Sequence, residues 1–219
     1  MDLAEVPYNV SSYQDLIFLQ GLSVVVYFSP PTLFAGTLGG VFLSSNNGNN
    51  WIQANNGLTN LNIWSLIVNG SNIFAGTGGG GVFHTTNNGS NWYAVNNDLT
   101  NFDITTFANN GPLLFAGTFG GVFLTSNNGL NWSVVNNGLT NYSIYVLSIN
   151  NNNLFAGTIG GGIFRTTNNG ANWITVNNGM SNSDVLSLAF NGANLFAGTY
   201  YGGVYLSTNN GFNWLQVNN

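Results

Sequence analysis

Few residues of this chain have charged side chains or side chains that bind transition metals. Among 219 residues there are one His, one Lys or Arg, six Asp or Glu, and no Cys. These residues are His84, Arg165, Asp2, Glu5, Asp15, Asp98, Asp103 and Asp184. One His without any Cys offers too few ligands for a transition-metal site. We therefore expect neither a metal nor another cofactor.

The remaining polar candidates fall at equivalent places in the sequence. Asp103 and Asp184 each stand just before an apolar segment. A glycosidase needs two carboxylates that face each other across a site, but such residues before a strand usually cap a turn or a strand entry. His84 and Arg165 also share one position, which we interpret as an outward-facing surface position. These patterns predict that the protein is not an enzyme.

The composition excludes some classes of partner. Charged residues make up 3% of the chain, against about 25% in a typical soluble domain. With a net charge of −5 and one arginine, the chain has no basic patch for nucleic acid or anionic lipid. No apolar run approaches the length of a transmembrane helix. We expect no nucleic-acid binding and no membrane insertion.

The chain is built from five copies of one repeat. A Leu or Ile followed by "FAGT" begins at positions 33, 73, 114, 154 and 195, so the spacing is 40 or 41 residues. The second copy divides into four strand-like segments at 63–69, 72–77, 81–86 and 91–96, separated by Asn-Gly or Gly-rich turns. This period predicts an all-β fold, a five-bladed β-propeller of four-stranded antiparallel blades. We expect one closed ring over residues 23–219, preceded by an N-terminal arm, residues 1–22.

Each repeat contains an eight-residue box with one Asn-Gly turn and a terminal Trp. The boxes span 44–51, 85–92, 125–132, 166–173 and 207–214. Their defining residues are Asn46, Gly48, Trp51, Asn87, Gly89, Trp92, Asn127, Gly129, Trp132, Asn168, Gly170, Trp173, Asn209, Gly211 and Trp214. Asn side chains bond to nearby backbone, Gly supplies positive φ, and Trp is a large apolar anchor. We predict a structural role for the box.

The box pattern Ser/Thr-x-Asn-x-Gly-x-Asn-Trp resembles the Asp-box of bacterial neuraminidase repeats, Ser/Thr-x-Asp-x-Gly-x-Thr-Trp, with Asn in place of Asp. The resemblance implies a propeller in which the box joins the third and fourth strands, away from any catalytic face. Sialidases of this kind use three arginines, a Tyr–Glu pair and an acid/base Asp. This chain has one arginine, and its one glutamate, Glu5, precedes the repeats. The catalytic activity does not carry over.

A carbohydrate-binding, lectin-like propeller is one of two remaining function classes. The candidate glycan contacts are Trp64, Tyr142, Tyr145, Tyr200 and Tyr201. A site repeated in every blade should repeat its aromatic residue. At the position of Trp64, however, the other copies have Val24, Thr105, Tyr145 and Leu186. This irregularity argues against a repeated glycan site.

The other class, which we favour, is a self-assembling structural protein. A surface with so little charge has weak electrostatic protection against association. The arm contains the apolar, strand-like "LIFLQ" at 16–20, which either folds back on its own propeller or adds to a neighbouring copy. Donation from each copy to the next would give a head-to-tail homo-oligomer, such as a filament or surface layer. We expect an extracellular or cell-surface location.

Five sequons fit a secreted chain, although a sequence rich in Asn, Ser and Thr produces such triplets by chance. Their acceptor residues are Asn9, Asn69, Asn88, Asn131 and Asn141.

Overall fold

The computed structural model describes residues 22–29 and 32–218. Every regular element in these ranges is a β-strand, so the described residues contain no helix long and apolar enough to cross a membrane. The N-terminal arm, except for Leu22, and the sequon at Asn9 lie outside the described residues. The boundary between arm and propeller stays a prediction.

In the part of the chain that the structure describes, twenty strands form five antiparallel sheets, and each sheet is one blade. Blade 1 contains β1 (Leu22–Ser29), β2 (Thr32–Thr37), β3 (Gly40–Ser44) and β4 (Ile52–Gln53). Blade 2 contains β5 (Ile63–Asn69), β6 (Asn72–Thr77), β7 (Gly81–Thr85) and β8 (Tyr93–Ala94). Blade 3 contains β9 (Ile104–Asn110), β10 (Leu113–Thr118), β11 (Gly121–Thr125) and β12 (Ser133–Val134).

The last two blades repeat the same arrangement. Blade 4 contains β13 (Ile144–Asn150), β14 (Asn153–Thr158), β15 (Gly162–Thr166) and β16 (Ile174–Thr175). Blade 5 contains β17 (Val185–Asn191), β18 (Asn194–Thr199), β19 (Gly203–Ser207) and β20 (Leu215–Gln216). In every blade the strands pair in sequence order. The predicted all-β, five-bladed propeller fold with four-stranded blades is confirmed.

The fourth strand of each blade is shorter than the sequence predicts. In blade 2, residues 91–96 were expected to form a strand, but β8 has two residues. The backbone N–H of Trp92 donates instead to the carbonyl of Asn56 in blade 1, 2.8 Å away. A backbone N–H that bonds to the neighbouring blade is not available for pairing within its own sheet. β8 therefore begins only after Trp92.

The register of blade 1 differs from the alignment that the sequence suggests. In blade 2, Ile63 pairs with Thr77, whereas in blade 1 Leu22 pairs with Thr37. Ser23, not Val24, is therefore the counterpart of Trp64. The extra residue lies within β1, at the register shift between Tyr27 and Ser29, where blade 2 has none, and a fixed spacing counted back from "FAGT" misses it.

The hydrophobic core is divided among the blades. Among the residues whose side chains the structure describes, there are four separate apolar clusters, one at each joint between consecutive blades. The cluster between blades 3 and 4, for example, combines Phe115 and Val122 with Ile144, Leu154 and Trp173. Because the sheets pack face to face, blades 2, 3 and 4 each bury one face on the preceding blade and the other on the following blade.

The packing of first strands follows the chain. β1 packs beside β5, β5 beside β9, β9 beside β13, and β13 beside β17. Within residues 22–29 and 32–218, no comparable packing joins β17 to β1. The predicted number of blades is found, but contact that would close the ring is not seen among these residues.

Candidate functional site

The box forms a compact turn held by its own side chains. In blade 3, Asn127 Oδ1 accepts hydrogen bonds from Thr125 Oγ1 at 2.9 Å and from the backbone N–H of Asn131 at 3.1 Å. The backbone N–H of Gly129 donates to Thr125 Oγ1 at 3.0 Å. The residue between, Asn128, is left-handed with φ of 58°. Only an acceptor oxygen is used from Asn127, which explains physically why Asn can stand where the neuraminidase box has Asp.

The box tryptophan links two blades. Trp132 is buried, and its indole Nε1 donates to the carbonyl oxygen of Val95 in blade 2, at 2.8 Å. The corresponding bonds join Trp92 to Ala54, Trp173 to Val135 and Trp214 to Val176. The sequence shows a tryptophan at each box but not that its partner lies in the preceding blade.

The predicted glycan-contact residues lie at the other end of the blades. We call this end the turn face: it carries the turns between second and third strands at 38–39, 78–80, 119–120, 159–161 and 200–202. The start of each first strand lies there too, since Ile63 pairs with Thr77 at the edge of the 78–80 turn. The turns of one blade also touch the entry to the next, because the N–H of Gly79 donates to the carbonyl of Phe102 at 3.2 Å.

Two small aromatic groups form on the turn face. Trp64 in blade 2 meets the ring edge of Phe119 in blade 3, with 6.1 Å between centroids, and its Nε1 donates to Asn62 Oδ1 at 3.0 Å. In blade 5, Tyr200 and Tyr201 pack edge to face at 4.2 Å. The hydrogen bond with Tyr200 raises the pKa of Tyr201 above its ordinary value, so the Tyr201 phenol is neutral near pH 7.

The turn face also holds aromatic residues that sequence reasoning missed. Phe102 and Phe119 are both exposed there, as are the predicted Tyr142 and Tyr145. Their signal in the sequence is weak, because Phe119 lies inside a glycine turn and Phe102 in a strand entry. No position on the turn face is aromatic in all five blades, so this face has no aromatic site repeated in every blade.

The two candidate carboxylates, Asp103 and Asp184, belong to different blades. Asp103 belongs to the entry of blade 3 and Asp184 to that of blade 5, and each donates its backbone N–H to an Asn two residues earlier, Asn101 or Asn182. These are strand-entry turns of the predicted kind. Among the described residues no three His, Asp or Glu side chains are placed to hold a metal.

His84 and Arg165 make equivalent structural contacts. His84 Nε2 bonds Asn72 Oδ1 at 2.8 Å and its ring stacks on Phe74 at 4.6 Å. Arg165 donates from Nε and Nη2 to Asn153 Oδ1, at 2.9 and 2.6 Å, and lies 5.0 Å from the centroid of Phe212. Burial lowers the pKa of His84, so the ring is neutral near pH 7. Both are half-buried rather than fully outward-facing.

The described sequons differ in how free their side chains are. Asn141 uses its amide at both ends, donating to Ile159 and accepting from the N–H of Ser143. Asn131 donates to Asp98 Oδ2 at 2.9 Å. Asn88 is exposed and left-handed, and Asn69 is half-buried at the end of β5. A glycan on Asn141 would attach to Nδ2, the atom that already donates to the carbonyl of Ile159.

The most distinctive surface lies on blade 5, on the side that other blades turn toward their successor. We call it the leading face. Val204 is 41% exposed there, whereas its counterparts in blades 1–4 are fully buried; these are Val41, Val82, Val122 and Ile163. Val217 is 40% exposed, and Phe196 is half-buried where Phe155 is fully buried.

A second uncovered surface lies on blade 1, on the side that other blades turn toward their predecessor. We call it the trailing face. Leu33, Phe42 and Trp51 are half-buried there, whereas their counterparts in blade 3, Leu114, Phe123 and Trp132, are buried. The leading and trailing faces are the two halves of a joint that the described chain does not form.

Comparisons with solved structures support the fold. The extracellular domain of the hybrid two component system BT4673 from B. thetaiotaomicron matches with a TM-score of 0.74 and 18% identity, over 90% of this chain and 27% of that one. The GH74 enzyme of Niastella koreensis matches at 0.63 and 20% identity, over 86% of this chain and 30% of that one. YCF48 bound to D1 peptide matches at 0.64 and 15% identity, over 86% and 64%.

These neighbours are β-propeller proteins, and the similarity shows the fold alone. This chain spans about a third or less of the length of the first two neighbours. No protein-family model matches the sequence, and no curated protein matches it either. The likeness to neuraminidase repeats therefore rests on the box pattern.

Proposed function

We propose that this protein is a non-enzymatic structural β-propeller that assembles with copies of itself, head to tail. The observation that carries the proposal is the leading face of blade 5, where Val204 is exposed although the same position is fully buried in every other blade. An exposed apolar surface of this kind marks an interaction site.

The charge of the protein favours the same function. The described residues from 32 to 218 include four charged side chains, three acidic and one basic. So few charges give little electrostatic repulsion between copies. Asp103 and Asp184 belong to different blades, and His84 bonds the amide of Asn72 instead of a carboxylate, so these residues do not form a typical acid–base pair. An extracellular location fits the asparagine-rich surface, and one neighbour is an extracellular domain.

Light scattering of the purified 219-residue chain over a range of concentrations tests the proposal. We expect a mass that rises with concentration in multiples of the 23.3 kDa monomer. A chain that stays monomeric at all concentrations would contradict self-assembly. Deleting residues 1–20 tests the arm: if the arm contributes to the joint, the truncated chain assembles more weakly, and equal assembly would remove the arm from the proposal while self-assembly stands.

A carbohydrate-binding role is the second candidate, and the turn face favours it. Tyr200 and Tyr201 are both strongly exposed and share a blade end with Asp184 and with the adjacent Asn182. Aromatic faces beside neutral or acidic hydrogen-bonding groups suit a sugar ring, which is apolar on one face and polar at its edge. This role does not conflict with assembly, because the turn face and the leading face are different surfaces.

A further inference from the structure

We propose that the joint between copies is formed by the leading face of blade 5 in one copy and the trailing face of blade 1 in the next, and that it reproduces the joints inside the chain. This inference rests on the proposed self-assembly and names its surface. The occupant of the leading face is a second copy of this chain.

The internal joints show what the leading face is built to receive. At each one, a glycine of the second strand lies against the first residue of the next blade's first strand. A carbon added at Gly36 would lie 2.6 Å from Ile63 Cγ2, and the same closeness recurs between Gly117 and Ile144 at 2.7 Å. Only a blade without a side chain at that position can accept its successor so closely.

Blade 5 carries the same glycine at the corresponding position. A carbon added at Gly198 would meet Ser187 of its own blade, and it would meet no atom of another blade among the residues whose side chains the structure describes. On blade 1, Leu22 pairs with Thr37 in the same register as Ile63 with Thr77 on blade 2. Leu22 therefore holds the strand position that, at each internal joint, packs against the glycine of the preceding blade. The two positions are complementary parts of one joint.

The indole hydrogen bond of the internal joints is also missing at this joint among the described residues. Four box tryptophans donate to a carbonyl of the preceding blade, but Trp51 forms no such bond among the described residues. Val217 holds the position of Val176, the residue whose carbonyl accepts from Trp214. We expect Trp51 Nε1 of the next copy to donate to the Val217 carbonyl, which would give the new joint the same hydrogen bond.

A second copy fits better than the chain's own first blade. The leading and trailing faces are both uncovered in one chain, so its four internal joints do not bring them together. Moving blade 1 onto blade 5 would require those joints, each with an apolar cluster and an indole hydrogen bond, to change together. A second copy meets the face without disturbing any of them. The contact uses two different surfaces, so it gives a larger closed ring or an open filament.

Disulfide formation between single-cysteine variants tests this joint, since the natural chain has no cysteine. One variant is Gly198→Cys and the other Leu22→Cys. The matched control is Gly36→Cys combined with Ile63→Cys in one chain, where the added carbon lies 3.3 Å from Ile63 Cβ, near the roughly 3.5–4.5 Å of real disulfides. We expect the control to bond within one chain and the mixed single variants to give a dimer that neither gives alone.

A charge substitution provides a second test that does not depend on disulfide geometry. Val204→Asp should weaken assembly by roughly tenfold or more, because the joint would bury an unpaired carboxylate. Ile174→Asp is the control: Ile174 is similarly exposed, but lies on the outer strand β16. Melting curves check that both variants fold, and Val217→Asp replaces Val204→Asp if that variant does not.

The outcomes separate the two proposals. A natural chain that is monomeric at every concentration overturns self-assembly and this joint together. Assembly that survives Val204→Asp unchanged, with no mixed dimer, overturns the joint but leaves self-assembly through another surface. A chain carrying both Gly198→Cys and Leu22→Cys that bonds only within itself shows that blade 1 closes the ring in its own chain, and also overturns the joint.

Discussion

Trp132 and Val95 stand 37 residues apart in the sequence, and the indole of the first donates a 2.8 Å hydrogen bond to the carbonyl of the second across two blades. The box that carries Trp132 thus fastens its own blade to the one before it. Because the same bond recurs at three other joints, the repeated motif serves the propeller as a whole rather than a site within each blade.

Replacing Trp132 by Ala should lower the free energy of unfolding by about 3–5 kcal/mol, as for other large buried aromatics. Trp132→Phe keeps part of the packing and loses the indole bond, so it should be less destabilising. Chemical denaturation of the three proteins measures the difference. A Trp132→Ala protein with an unchanged melting temperature but lost ligand binding would show that the box is a binding site.

Replacing Asn127 should separate the need for an acceptor from the need for an amide. Asn127→Ala removes the acceptor for Thr125 Oγ1 and the Asn131 N–H, and should cost about 1–2 kcal/mol, as losing a helix cap does. Asn127→Asp keeps the oxygen and should retain stability near pH 7. Urea denaturation measures the free energy of unfolding of both variants. An equal loss in both variants would mean that the amide nitrogen matters and the acceptor argument is wrong.

His84 should make stability depend on pH. Burial lowers its pKa in the folded state below the ordinary 6.5, so on acidification the unfolded chain binds a proton before the folded one does. The contribution of neutral His84 to the free energy of unfolding is fully present above pH 6.5, and it declines as the pH falls from there through the folded-state pKa. His84→Leu, with the residue found at the same position in three other blades, should remove this decline. Melting temperatures across this range compare the two proteins, and an identical profile would contradict the prediction.

If the turn face binds glycans, Tyr201→Ala should abolish or strongly weaken the binding. Tyr201 is 81% exposed on the turn face, whereas Tyr93 is 65% exposed on the outer strand β8, so Tyr93→Ala is the matched control. Titration of soluble oligosaccharides, followed by the NMR signals of the protein, measures both. Equal weakening in the two variants would point to non-specific aromatic contacts and remove the lectin-like alternative.

The sequence by itself determined the number of blades, most strand positions and the box turns. These features depend on local signals: Asn-Gly turns, alternating apolar residues and a period of 40 or 41 residues. Local signals also explain the failures. The two-residue β8 could not be predicted, because the N–H of Trp92 bonds to Asn56 in another blade, and the shift from Val24 to Ser23 depends on strand pairing.

Only the tertiary structure decided which residues meet across blades. It places Phe119 against Trp64 and the Trp132 indole on Val95, and in both pairs the two residues belong to different sheets. It also leaves Val204 exposed while Val41, in an almost identical sequence context, is fully buried. The physical reason is that burial in a propeller depends on the neighbouring blade. Each repeat therefore encodes its own four-stranded sheet, whereas the burial of the two faces of that sheet depends on the neighbouring blades.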